Sequence, residues 1–185
     1  MRFVNNLSLR TLPLLLSFSA VLGSASAWAL QTDREQPIRV QADSAELDDK
    51  QGVAVYRGDV VITQGTLKIT GNTVTITQNA SGDIEIFTAI GTPAYYEQKP
   101  AVDKQIVKAY GLTIQYFAAN ERIVLIDQAK VVQEGNTFEG EKIVYDTQRQ
   151  IVNAGRATGT NVTSPRPRID MVIQPKNKPA EQQAQ

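Results

Sequence analysis

From Ile38 to Ala154 apolar and polar residues alternate almost without a break, and no stretch carries the three-to-four spacing of an amphipathic helix. A period of two places successive side chains on opposite faces of an extended strand, so such a chain folds as strands with one apolar face. Ile38, Val40 and Ala42 alternate with Arg39, Gln41 and Asp43. Asp48 to Gly52 predicts a turn, after which Ala54, Tyr56, Val60 and Ile62 share a face. Gln64-Gly65 predicts the next turn, Leu67 and Ile69 the next stripe, and Gly71-Asn72 a further turn before Val74 and Ile76. Asn79 to Asp83 reads as a loop.

Ile84 to Ile90 is expected to end at Gly91-Thr92-Pro93, because proline has no N–H to give to a ladder. Ala94 and Tyr96 resume, Pro100 to Lys104 is a loop, and Leu112, Ile114 and Tyr116 form the next stripe. Ala118 to Glu121 turns into Arg122 to Asp127. Ala129, Val131 and Gln133 follow, then Phe138, Ile143, Tyr145 and Ile151 to Ala154. Ile169, Met171 and Ile173 form a last strand after Pro165 and Pro167. The expectation is all-β, with turn signals at the spacing of a sandwich, jellyroll or barrel.

Before this run lies an export signal. Met1 to Ala29 carries Arg2 and Arg10, no acid, an apolar stretch from Leu12 to Leu22 and the small residues Ala27 and Ala29 of a signal-peptidase site. Its apolar stretch is well short of the roughly 20 residues of a spanning helix. Cleavage after Ala29 leaves 17 basic and 19 acidic residues, a formal net charge of −2 that gives no reason to expect nucleic acid. Residues 30–174 are then one β domain, and residues 175–185 a polar, proline-containing tail expected to be disordered.

The chain also matches itself at a spacing of 69 residues. Val60 to Ile76 lies over Ala129 to Tyr145 without a gap, with Gln64 on Gln133 and Gly71 on Gly140. Upstream, Ala45 and Leu47 fall on Ile114 and Tyr116. This predicts two similar sets of hairpins stacked along one axis, neither able to bury its apolar face alone.

Little chemistry is available to such a chain. It has no histidine and no cysteine, which excludes Ser-His and Cys-His nucleophile pairs and the usual zinc ligand sets. Asp48-Asp49 and Glu139/Glu141 sit at turns or on outward strand positions, so they read as solvated acids, and Asn79 and Asn161 begin weak glycosylation sequons. No catalytic residue, metal site or cofactor is expected. By pattern alone the apolar stripes read as ordinary core.

A resemblance gives them a second reading. Gln36-Pro37-Ile38, the long segment Gly58 to Ile69, Gly91-Thr92-Pro93-Ala94 and Gly140 to Tyr145 occur in the order and spacing of the LptA-type, OstA-like family of periplasmic lipopolysaccharide-transport bridge proteins, which the chain resembles over nearly all of its length after the signal. The resemblance implies an open-ended, V-shaped β-jellyroll in the periplasm whose apolar interior shields the acyl chains of lipid A. It implies lipid contact from Ile38, Val40, Tyr56, Ile62, Ile69, Tyr96, Leu112, Ile114, Tyr116 and Phe138. It also implies head-to-tail assembly of protomers between an inner-membrane LptC-type protein and the N-terminal domain of an outer-membrane LptD-type translocon. The edge strands for that assembly are Ile38 and Val40 at one end and Ile169, Met171 and Ile173 at the other. The competing expectation is a periplasmic β-solenoid with a fully packed core, no lipid groove and a purely structural role.

Overall fold

The computed structural model describes residues 33–101, 103–155 and 168–175. The expected signal segment, the Asn161 sequon, the Pro165 to Pro167 break and the polar tail from Lys176 lie outside the described residues. After a 3-10 turn at Asp33–Glu35 the chain forms β1 (Arg39–Gln41), β2 (Ser44–Asp48), β3 (Val53–Gln64), β4 (Leu67–Gln78) and β5 (Ile84–Gln98). Then come β6 (Val107–Phe117), a 3-10 turn at Ala118–Asn120, β7 (Arg122–Gln133), β8 (Asn136–Asp146), β9 (Ile151–Gly155) and β10 (Asp170–Val172). All ten strands belong to one antiparallel sheet. From β3 to β8 neighbours in sequence are neighbours in space; β1 and β2 both pair with β3, and β9 and β10 both pair with β8. Among the described residues the two outer edges do not pair with each other, so the sheet is all-β and open, as expected.

The central strands are longer than their sequence signals suggest. Gly71-Asn72 is not a turn: β4 runs through it, and only its register slips, between Thr70 and Thr73 against β5. Gly91-Thr92-Pro93 does not end a strand either. The ladder to β6 skips from Ile90 to Ala94, yet β5 continues to Gln98, with a cis Thr92–Pro93 bond in the gap. A β-bulge absorbs extra residues on one strand while its neighbours stay paired. On β4 the buried positions step from Ile69 to Val74, and on β5 from Ala89 through Gly91 to Ala94. Each odd step switches the parity of the inward face, so the apolar side stays inward on both halves of a bent strand.

The repeat is structural. Adding 69 to the pairs Val40↔Ile62 and Ala45↔Tyr56 gives Ala109↔Val131 and Ile114↔Leu125, and both are paired as written. The positive-φ residues repeat as well: Gly52, Gly58, Asp59 and Gly65 recur as Glu121, Asp127, Gln128 and Glu134. Thus β1 and β2 together stand where β6 stands. On the other side of the hairpins, β4 pairs with the single strand β5, through Val74↔Ala89 and Ile69↔Tyr96. The equivalent positions on β8 pair with two strands, through Ile143↔Ala154 on β9 and Phe138↔Met171 on β10. β9 and β10 are therefore a β5 split by an insertion.

That insertion leaves a mark at the shared glycine. A Cβ on Gly71 would lie 2.7 Å from the backbone oxygen of Ile90, whereas the nearest described atom to a Cβ on Gly140 is 4.0 Å away. Gly71→Ala should therefore cost about 1–3 kcal/mol, as overpacking against backbone does, and Gly140→Ala should be close to neutral. Denaturant midpoints of the two variants check this; equal losses would contradict the pairing of β5 across Gly71.

Candidate functional site

The inward faces of β3 to β8 meet in one apolar cluster. Ile62, Ile69, Phe87, Tyr96, Ile114, Tyr116, Leu125, Ile143 and Tyr145 are buried in it. Ile38, Val40, Tyr56 and Phe138 pack against it from its margins while remaining half-exposed. Of the ten lipid-contact positions expected from sequence, nine thus share one interior. Leu112 does not. It falls in the β6 bulge, where the pairing to β7 jumps from Tyr110 to Thr113, so it leaves the stripe of Ile114 and Tyr116 that strict alternation assigns it to. Phe87, Leu125 and Tyr145 belong to the interior and are absent from the expected set; an aromatic or leucine on an alternating strand is their only sequence signal.

The adjacent pair Tyr95-Tyr96 is divided between the faces. Tyr96 turns inward, its ring 5.5 Å from that of Tyr116, which in turn lies 6.0 Å from Phe87. Tyr95 turns outward against Tyr110, at 5.0 Å. A run of three buried aromatic rings lines the interior, and tilted rings at such separations attract one another.

Open space lies where β1 meets the β4–β5 connection. A cleft of about 640 Å³ is bounded by Arg34, Gln36, Ile38, Gln64, Ile84 and Phe87, among others. A second, of about 260 Å³, is bounded by Ile38, Val40, Leu47, Tyr56, Ile76 and Ile84. The two share Ile38 and Ile84, so they form one groove along the β1 edge with Phe87 linking it to the core. A concave, mostly apolar trough with a few polar groups at its rim is the usual form of a ligand site.

One end of this region is tied by polar contacts. Asp33 accepts from the Thr66 N–H at 2.7 Å, from the Thr66 hydroxyl at 2.6 Å and from Gln98 Nε2 at 2.8 Å. Gln98 Oε1 accepts from the Tyr96 hydroxyl, which satisfies a fully buried phenol. Gln64 Nε2 donates to the Arg34 and Gln36 carbonyls, each at 3.1 Å, while Arg34 donates to the Ala118 carbonyl and lies 3.5 Å from Glu121. The repeat partner of Gln64 does different work: Gln133 Oε1 accepts from the Tyr145 hydroxyl at 3.0 Å. The glutamine shared by the two repeats therefore anchors the N-terminal turn in one and a buried ring in the other.

Burial holds the inward phenols neutral. Desolvation, reinforced by nearby Glu121, pushes Tyr116 up to about 12; desolvation also pushes Tyr145 up to about 12 and Tyr96 well above the ordinary value. An acid whose folded pKa is raised binds its proton more tightly in the folded than in the unfolded chain, so the fold is favoured below the unfolded value of about 10 and loses that advantage as pH rises. Stability should therefore fall between about pH 10 and pH 12, with tyrosinate absorbance rising together with loss of the β-sheet circular dichroism. Early, non-cooperative ionisation of Tyr96, Tyr116 and Tyr145 would contradict their burial.

Comparison with known proteins agrees with this geometry. The family described as "LptA/(LptD N-terminal domain) LPS transport protein" matches residues 39–151. The chain is 76% identical over 178 residues to the lipopolysaccharide export system protein LptH of Pseudomonas aeruginosa, covering 96% of this chain and 99% of that one. It is 31% identical over 161 residues to the lipopolysaccharide export system protein LptA of Escherichia coli, covering 86% and 85%. The crystal structure of LptH from P. aeruginosa, described as the LptA-homologous periplasmic component of the lipopolysaccharide transport device, superposes with a TM-score of 0.72 at 79% identity, over 78% of this chain and all of that one. A single rolled sheet with an apolar interior, matched in sequence and in structure over most of its length, places this chain in the LptA/LptD N-terminal-domain family of lipopolysaccharide transport proteins.

Proposed function

We propose that this protein is a periplasmic, non-enzymatic carrier that shields the lipid A acyl chains of lipopolysaccharide and joins protomers head to tail in a bridge between the inner and outer membranes. The observation that carries the reading is the groove at the β1 edge, floored by Ile38, Val40, Tyr56 and Ile84 and continuous through Phe87 with the buried interior. A saturated chain of a dozen methylenes costs on the order of 10 kcal/mol to expose to water, at ~0.8 kcal/mol per CH₂. Apolar contact is non-directional, so a groove lowers that barrier and still lets the chain slide. The names of the relatives, each a component of lipopolysaccharide export, agree with this cargo.

Ile62, Ile69, Tyr96, Ile114 and Tyr116 are closed off from solvent by their neighbours. Acyl chains therefore engage Ile38, Val40 and Tyr56 first, and reach the deeper residues as the two faces of the roll separate. Separation is possible because the β1/β2 and β9/β10 edges carry no hydrogen bonds to each other among the described residues. Those same unpaired edges suit β-augmentation by an inner-membrane LptC-type protein at one end and an outer-membrane LptD-type N-terminal domain at the other. The energy for directional transport comes from such partners, since the sequence holds no phosphate-binding glycine-lysine loop.

Ile38→Glu tests the reading. Ile38 borders both clefts and is only half-buried, so a carboxylate there remains partly hydrated and the fold survives. Lipopolysaccharide should displace a fluorescent acyl probe from the variant at least about tenfold more weakly, the equivalent of losing one apolar anchor. Unchanged displacement by a folded variant would overturn the groove assignment. Wholesale unfolding would make Ile38 core and overturn it equally.

A further inference from the structure

The bent sheet closes along a mouth. On β5, Phe87 pairs with Tyr116 and lies nine residues before Tyr96, about 30 Å along a straight strand. Yet the rings of Tyr96 and Tyr116 are 5.5 Å apart. The strands therefore fold over at their mid-strand irregularities, and the two half-sheets face each other. One half ends in the turn at residues 64–67, the β5–β6 loop and the turn at residues 133–136. The other ends in the loop at residues 79–83, the turn at residues 118–121 and the turn between β8 and β9. These are the two rims of the mouth. The larger cleft lies between them, with Gln64 on one rim and Asn79, Asp83 and Ala118 on the other.

Polar contacts cross this mouth at two places, and both use the glutamine that the repeats share. Near β1, Gln64 Nε2 donates to the Arg34 and Gln36 carbonyls, and Asp33 is fixed to Thr66 and Gln98 on the same rim. From there the Arg34 guanidinium reaches over to the Ala118 carbonyl and to Glu121, 3.5 Å away. In the second repeat Gln133 Oε1 accepts directly from the Tyr145 hydroxyl at 3.0 Å. Tyr145 pairs with Ile123, ten residues along β7 from Gln133, so this bond too joins the two halves. Ile76 stands where Tyr145 stands and has no hydroxyl, so in the first repeat the N-terminal turn supplies the reach.

We propose that these two contacts, Gln64 with Arg34 and Gln133 with Tyr145, are latches that hold the mouth shut and part to admit acyl chains from the side. The inference rests on the lipid-carrying part of the function proposed above and names the residues that gate it. A lipid with its chains inside and its polar head in water straddles the mouth, so a contact across the mouth stands in the head's path. Acyl chains replace the apolar contact between Tyr96 and Tyr116 in kind. They offer nothing to Arg34 or to the Tyr145 hydroxyl, so the latches set the cost of opening. Both suit repeated opening. One is a partly exposed ion pair with a bond to a carbonyl and the other a single neutral hydrogen bond, and such ties are weak beside the β-ladders that stay intact.

The full chain has no cysteine, so paired spin labels can be set across the mouth without interference. Lys99→Cys with Asn120→Cys spans it at the first latch, and Glu134→Cys with Gln148→Cys at the second; all four positions are exposed. Without lipid, Arg34→Met should lengthen and broaden the first distance and leave the second unchanged, and Tyr145→Phe should do the reverse. Both variants should keep the β-sheet circular dichroism. Both should take up the fluorescent acyl probe about threefold or more faster and hold it more tightly, because apparent affinity rises with the fraction of open protein. A purely structural role would loosen the fold without tightening probe binding. Distances that ignore both substitutions while the probe still binds would overturn the latches and leave the groove standing, as would uptake that is unchanged or slower. A mouth that widens in variants that bind no probe would instead overturn the lipid-carrying reading, and the gate with it.

Discussion

The fold depends on keeping a single apolar face across strands that are long enough to bend. A strand with a strict period of two has one fixed inward set, and once it curves over a roll the far half of that set points out. The irregularities at Gly58-Asp59, Gly71-Asn72, Gly91 to Pro93, Gly111-Leu112 and Asp127-Gln128 solve this by changing the register, and on β4, β5 and β6 also the parity, at the bend. Without them Val74 and Ala94 would leave the core, and the interior from β3 to β8 would break into two unconnected patches. The irregularities lie side by side on neighbouring strands, as Gly71 lies against Ile90.

The same devices explain what was legible in the sequence. Alternation identifies the class, and the stripes at Ile62, Ile69, Tyr96, Ile114 and Tyr116 mark the interior, because within any half-strand the period of two is intact. Glycine and proline are read as chain reversals by local rules, and nothing local distinguishes a reversal from a bulge inside a strand that both neighbours hold straight. That is why Gly71-Asn72 and Gly91 to Pro93 read as ends. It is also why Leu112 reads as a continuation of the stripe to its right, when it is the residue the β6 bulge displaces. β2 shows only faintly by alternation, since Ala45 and Leu47 stand between Ser44, Glu46 and Asp48. It emerges through the repeat, which places it on the second half of β6. The groove was legible only in part: the resemblance names Ile38, Val40 and Tyr56, but the β4–β5 connection that closes it, with Ile84, lies far from them in sequence.

The repeat also accounts for the architecture of the ends. Two repeats leave one short of a neighbour before β1 and the other short of one after β10, so among the described residues the sheet ends in two different open edges. Open edges favour aggregation unless something pairs with them. Here they bear Leu47 on one side and Met171 and Ile173 on the other, all exposed, with the groove running beside the first. On the proposed reading cargo path and docking surface share β1: Ile38 and Val40 border the groove, and among the described residues β1 pairs with β3 alone.

The account stands or falls on whether lipid travels along this interior. Photocrosslinking in cells from a reactive amino acid at Ile38 or Tyr56, compared with one at Ile90, tests it most directly. Ile90 is an apolar residue of similar size on the outer face of β5, 52% exposed, so surface stickiness acts on it without access to the groove. The prediction is lipopolysaccharide crosslinked at Ile38 and Tyr56 and little or none at Ile90. Crosslinks of equal yield at all three positions, or at Ile90 alone, would contradict transport through the interior.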